Sequence, residues 1–326
     1  MPYSAEVYLD AGTVLSKRRQ NAEHEADLRK SEAYEKFHEL RMLDVELAEN
    51  LSKLSMHIMQ GKIDSDTAFT KMKEKNLELQ KKQSEILIKN GFSADYLQPH
   101  YSCPICNDTG RINGKLCDCF KKACREAAIN ELRRSAANSD SCSFDNFDLK
   151  YYDNDEPDEN GVLPKNKMPV IFEFCKGYAG KLPNEHRSIL MLGKTGLGKT
   201  HLSLAIANAA VKCGLGVVYS SAQHLVSELE NEHFSNTKCD DALKKYCGCD
   251  FLIIDDLGAE FITQFSVSAI GNIINERLLR NLPTIISTNL SLSEIKEKYT
   301  ERTASRIFGC YEKLKFIGKD IRVKKR

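Results

Sequence analysis

Apolar residues recur at three- and four-residue steps through Phe37, Leu40, Leu43, Leu47, Leu51, Leu54 and Ile58, with Glu and Lys between them. That spacing draws one stripe along a long helix. Gly61 ends it, and Asp64 or Ser65 offers a cap for a second helix. There Ala68, Phe69, Met72, Leu79, Ile86 and Leu87 give a less regular apolar face before Asn90-Gly91 stops it. The short connection makes the pair an antiparallel hairpin. Its stripe serves either as the hairpin's own core or, where apolar surface is left over, as a face for a partner.

From Ile171 onward the period changes. Short apolar runs at 189–192, 217–220, 251–254, 284–288 and 314–317 alternate with helical patterns starting near Thr200, Ala222, Val267 and Ser293. Such alternation predicts a parallel sheet covered by helices, with ligand at the carboxyl ends of the strands. Between the two regions, residues 153–161 are acidic and turn-rich and read as an exposed loop. The pattern divides the chain into a helical partner-binding region (1–95), a cysteine module (96–130), a linker (131–170) and a nucleotide-binding domain (171–326).

The chemistry sits at the first strand of that domain. Gly193, Lys194, Thr195, Gly196, Leu197, Gly198, Lys199 and Thr200 form a complete G-x-x-x-x-G-K-T phosphate loop between an apolar run and a helical pattern. The glycines let backbone N–H groups turn inward on a phosphate, and the following helix offers the positive end of its dipole. Lys199 is then expected on the β- and γ-phosphates of ATP, with the Thr200 hydroxyl on Mg²⁺. The strand 251–254 is followed by Asp255 and Asp256, the first placed to hold Mg²⁺ and the second to orient and deprotonate an attacking water. Asn289 follows the strand 284–288, where an amide can hold that water or sense the γ-phosphate; an Asn in a Ser/Asn-rich turn is the plainer reading.

Composition narrows the setting. With 47 Lys and Arg against 46 Asp and Glu among 326 residues, net charge selects no partner. The stretch 313–326 is nonetheless basic, suited to nucleic acid or a nucleotide phosphate, its last three residues reading as a solvated tail. The first thirty residues are charged and lack an apolar core, and no apolar run is long enough to span a bilayer, so a cytoplasmic protein with no membrane partner is expected.

Twelve cysteines in that compartment point to thiols or metal. Cys103-x-x-Cys106 and Cys117-x-Cys119, joined by a turn from Asn107 to Gly114, supply four close sulfurs for a structural zinc, with a redox pair as the alternative and Cys124 as a spare ligand. Cys239, Cys247 and Cys249 read as small buried residues instead.

The ordered set of phosphate loop, Ile253-Ile254-Asp255-Asp256-Leu257-Gly258, Ser287-Thr288-Asn289, Ser305-Arg306-Ile307 and Asp320-Ile321-Arg322 resembles the AAA+ core of the DnaC/DnaI helicase loaders and of the related IstB transposition helpers. The likeness covers approximately residues 140–326. It implies an α/β AAA+ P-loop NTPase core, which in this chain the helical hairpin and the zinc-binding module read above precede. It also implies slow ATP hydrolysis modulated by partner or DNA, with Asn289 as first sensor, Arg306 as a finger reaching a neighbouring subunit's γ-phosphate, and Arg322 as second sensor. Asp256 stands where many members carry Glu.

Loaders resemble this chain in setting a helicase-binding region, sometimes with zinc, ahead of the ATPase. The implied partners are a hexameric replicative helicase, single-stranded DNA and further copies assembled through ATP interfaces. The segment 222–246 falls where loaders and initiators add a helix that contacts single-stranded DNA, although its Phe234 by itself reads as a packed core residue. A transposition helper, or a nucleotide-switched adaptor without a DNA role, is the alternative.

Overall fold

The computed structural model describes residues 3–59, 65–136, 142–153, 156–234 and 241–324. Gly61, Asp64, Cys239, Lys325, Arg326, part of the 153–161 loop and the side chains of Leu51, Leu54, Ile58, Ser65, Ala68 and Phe69 lie outside the described residues. The chain forms two compact units, residues 12–120 and residues 1–11 with 121–326.

Three helices dominate the first unit: α1 (Ala5–Lys36), whose first turns belong to the other unit, α2 (His38–Met59) and α3 (Ser65–Lys89). The apolar pattern leaves α1 unassigned. Its buried positions here, Leu15, Ala22, Ala26 and Ala33, keep a seven- and four-residue spacing but are mostly alanine, too small to draw a visible stripe. Phe37, expected inside one long helix, is the non-helical residue where α1 gives way to α2. It packs edge-on against Phe92 at 6.1 Å, beside a small core of Leu40, Leu87 and Leu97. α2 and α3 pair as the expected hairpin. A short antiparallel ribbon, β1 (Arg111–Ile112) and β2 (Lys115–Leu116), turns at Asn113-Gly114, both with positive φ as that tight turn requires.

The second unit takes in most of α4 (Asp118–Ser135), a 3-10 turn at Leu149–Tyr152 and α5 (Pro164–Ala179). It continues through β3 (Ser188–Leu192), α6 (Lys199–Lys212), β4 (Val217–Ser221), α7 (Ala222–Phe234), α8 (Asp241–Gly248) and β5 (Phe251–Leu257). Then come α9 (Gln264–Leu279), β6 (Thr284–Thr288), α10 (Leu292–Lys298), α11 (Glu301–Cys310), β7 (Tyr311–Lys315) and α12 (Ile321–Lys324).

The five strands β3 to β7 form one parallel sheet in the order β4-β5-β6-β3-β7. Its inner strands are buried on both faces, as the unbroken runs Ile189-Leu190-Met191, Leu252-Ile253-Ile254 and Ile285-Ile286 require. Three boundaries differ from expectation. β7 begins at Tyr311, three residues ahead of the 314–317 run, because only Tyr311 and Leu314 face inward and charged residues fill the other positions. α9 starts before Val267, where Thr263 and Ser266 close a capping box. β5 runs on through both acids. Among the described residues, no helix is long and apolar enough to cross a membrane.

Candidate nucleotide site and cysteine cluster

β3 delivers the phosphate loop to the carboxyl edge of the sheet. Gly193, Gly196 and Gly198 all have positive φ, and a Cβ on Gly193 would lie 2.6 Å from the Phe316 carbonyl oxygen. The loop is shaped by its own lysine. Lys199 Nζ donates to the Gly193 and Lys194 carbonyls at 2.6 and 2.8 Å. Burial holds the amine below the ordinary lysine range, against the opposing pull of Asp256 and Asp255.

The acids sit in a break of the ladder. β5 and β6 slip register between Ile254 and Leu257, and Asp256 adopts φ +54, so the strand is bent where its carboxylates are presented. Asp255, 4% exposed, receives three hydroxyls. Thr200 Oγ1 donates to Oδ2 at 3.0 Å from α6, Tyr219 donates to Oδ2 at 2.6 Å from β4, and Ser287 Oγ donates to Oδ1 from β6. Ser287 Oγ also accepts the Asp256 amide at 2.9 Å, tying both acids to β6. Partial desolvation and then the charge of Asp255 push the Asp256 carboxyl above its usual range.

A cavity of about 240 Å³ opens over this edge, lined by Thr195 to His201, Asp256, Ile321 and Arg322. Its other wall comes from residues read as linker: Asn146, Phe147, Asp148 and Tyr151. They are fixed by Tyr152, whose hydroxyl donates to the Leu197 carbonyl at 3.0 Å, and by His201, whose Nε2 lies 2.8 Å from the Ser143 carbonyl. The Phe147 ring stands over Gly198, where a Cβ would come within 2.7 Å of it. Sequence reasoning missed this wall, as well as Tyr219 and Ser287. Hydroxyl residues near the carboxyl ends of the strands flanking the acid strand were the available signal for the last two.

Neither Asn289 nor Arg306 lines the cavity. Asn289 is exposed just beyond β6, and Arg306 is half-buried on α11. Arg322 reaches it from α12, whose first amide, Ile321 N–H, donates to the Gly196 carbonyl at 3.0 Å. The basic stretch that leads there meets the acidic loop: Lys315 Nζ lies 3.4 Å from Asp158 and Lys319 Nζ 3.3 Å from Glu156. Phe234, read as a core residue, is instead 76% exposed at the end of α7 and touches His233 and Phe265. Cys247 and Cys249 are buried as expected.

In the other unit the four sulfurs of Cys103, Cys106, Cys117 and Cys119 lie within 4.8 Å of one another. The pairs Cys103–Cys117 and Cys106–Cys119 are 3.8 and 3.3 Å apart. Zinc–sulfur bonds of about 2.3 Å in a tetrahedron need sulfurs roughly 3.8 Å apart, so the donor set fits zinc. Asp108 shapes the first knuckle by accepting the Ser102 and Cys103 amides at 2.8 and 3.0 Å. Cys124 is buried outside the cluster. The Thr200 and Asp255 oxygens likewise fit a hard cation such as Mg²⁺.

Residues 182–309 match the family model described as IstB-like ATP binding protein. That segment, less than half of the chain, is similar to this family. The chain is 33% identical over 134 residues to the chromosomal replication initiator protein DnaA of Campylobacter jejuni, 40% of this chain and 30% of that protein. It is 29% identical over 131 residues to the replicative helicase loader DnaI of Bacillus subtilis, 40% of this chain and 41% of that one. To the replicative helicase loader DnaC of Escherichia coli it is 26% identical over 168 residues, 51% of this chain and 63% of that one. The chain thus spans less than two thirds of each of these relatives. The phosphate loop, Asp255 and Asp256 lie within the segment matched by the family model.

Proposed function

We propose that this chain is an ATP-dependent loader of the replicative DNA helicase, acting in the cytoplasm to place that helicase on single-stranded DNA. The observation that carries the reading is the assembled nucleotide edge, Lys199, Thr200 and Asp256 on one cavity with Asp255 bonded to Thr200 behind it, in a segment similar to those of named helicase loaders.

Within that reading the phosphate loop binds the β- and γ-phosphates through its N–H groups and Lys199, and Arg322 adds a cation from the opposite rim. Thr200 and Asp255 would hold Mg²⁺, which when bound neutralises phosphate charge. Asp256 orients the attacking water and takes its proton, a task suited by its raised pKa. Asn289, just beyond β6, acts as first sensor on the attacking water, and Arg306, outside the cavity of its own chain, acts across an interface on the nucleotide of a neighbouring copy. ATP then works as a switch, since its γ-phosphate contacts exist in one state and vanish after hydrolysis. Zinc on the four cysteines would keep a segment with little apolar core folded, and with the helices it grips the helicase.

The test mixes the full chain with the hexameric helicase of the same cell and single-stranded DNA. ATP-dependent capture of helicase on DNA is expected. No helicase captured, with ATP still bound by the chain, overturns the loader reading while leaving the nucleotide site intact.

A further inference from the structure

We propose that Tyr219 is a positioning residue that fixes the metal-binding carboxylate of Asp255, an inference that rests on the ATPase reading above. Asp255 is clasped from three sides, and the three donors are not equivalent. Ser287 is shared, since its oxygen also accepts the Asp256 amide. Thr200 is itself a candidate metal ligand, so its hydroxyl oxygen would also answer to a bound cation. Tyr219 has neither second duty at this edge. Its hydroxyl, carried on a rigid ring from the edge strand β4, reaches Oδ2 at 2.6 Å, the oxygen that also faces Thr200 at 3.0 Å.

Strand geometry gives the contact its precision. Tyr219 pairs with Ile253 and Ser221 with Asp255 in the parallel register, so the ring lies diagonally across from the acid and spans the gap with its full length. A flexible donor would follow the carboxylate wherever it turned, whereas an aromatic hydroxyl has few positions available and holds the carboxylate plane against rotation. Tyr219 also lines a separate cavity of about 430 Å³ together with residues of β4 and α4.

The test compares the full-length parent with Tyr219→Phe, using a non-hydrolysable ATP analogue in calorimetry across a Mg²⁺ titration and again in excess EDTA. Hydrogen-bond partners of metal ligands typically alter metal affinity by about 10–100-fold, so the Mg²⁺ concentration at half-maximal enhancement of binding should rise about 10-fold in Tyr219→Phe. Affinity in EDTA should stay at the parental value. In an Asp255→Asn background the same substitution should add nothing, because the group being positioned is already lost. An unchanged Mg²⁺ midpoint, or an equal shift with and without the Asp255 carboxylate, overturns the assignment. A parent that binds the analogue no better with Mg²⁺ than without it would instead overturn the ATPase reading on which the assignment rests.

Discussion

Tyr299 donates its hydroxyl to the buried carboxylate of Glu260, whose other oxygen accepts the Gly258 amide at 2.8 Å. The pair pins the turn that follows Asp256 to the segment that opens α11. Gly258 in that turn has φ +97, and a Cβ there would strike Leu290 at 2.4 Å. Tyr299→Phe strands a buried carboxylate oxygen without its donor, which costs about 1–3 kcal/mol. Urea denaturation should detect that loss. A stability equal to the parent's would mean that water replaces the phenol and that the turn is open to solvent.

Lys199→Ala removes an ammonium that bonds two carbonyls of the phosphate loop and is proposed to contact the β- and γ-phosphates. A charge-assisted contact of this kind is worth about 1.5–3 kcal/mol, so ATP affinity should fall roughly 10- to 150-fold in calorimetry. Asp256→Asn should bind ATP normally and release phosphate about 10²- to 10⁴-fold more slowly, since the positioned base is gone and Asp255 remains. Equal affinity in the first case, or equal turnover in the second, would move the respective role elsewhere.

Elemental analysis should give one zinc per chain. Cys103→Ser combined with Cys106→Ser should lose it and leave the nucleotide site able to bind ATP, because the cluster belongs to the other compact unit. Four freely titratable thiols in the native protein would reject a metal role for the cluster.

Glu185 gives a pH prediction. Its carboxylate accepts Arg187 Nη2 at 2.7 Å and Nε at 3.0 Å, and this pairing, against the cost of burial, lowers its pKa to about 2 from 4.5. A depressed carboxyl pKa stabilises the folded state above the unfolded value and ceases to do so as pH falls through the folded one. The contribution should therefore be complete above about pH 5 and fade between about 4.5 and 2. Discounted for the half-exposed Arg187, it is about 1–2 kcal/mol. Glu185→Gln should be less stable than the parent by that amount at neutral pH, and the difference should vanish near pH 2 in denaturant titrations.

The phosphate loop was readable in the sequence because its constraint is local: eight consecutive residues carry the glycines, the lysine and the hydroxyl. The inner strands were readable for a related reason, since burial on both faces leaves no polar position to interrupt the run. α1 was not, because its interior is built from alanine. The start of β7 was hidden because an edge strand tolerates Glu312 and Lys313 facing outward. Tyr219, Ser287 and the wall from Asn146 to Tyr151 could not be assigned to the site, since only the pairing of β4, β5 and β6 and the packing of Tyr152 on Leu197 bring them there.

The phosphate loop is braced by parts of the chain made well after it. On a translating ribosome residues 193–200 emerge before Thr288, Phe316 and Ile321, whose backbone atoms bond those of Gly193, Leu192 and Gly196. β3 likewise waits for both of its neighbours, β6 and β7, and until they arrive its apolar faces are open to misassociation. A nascent domain stalled before β7 therefore carries the whole nucleotide-binding signature and no finished site. Because a ligand stabilises only the state that binds it, a nucleotide taken up at this edge would stabilise molecules translated past Ile321 and not the incomplete ones.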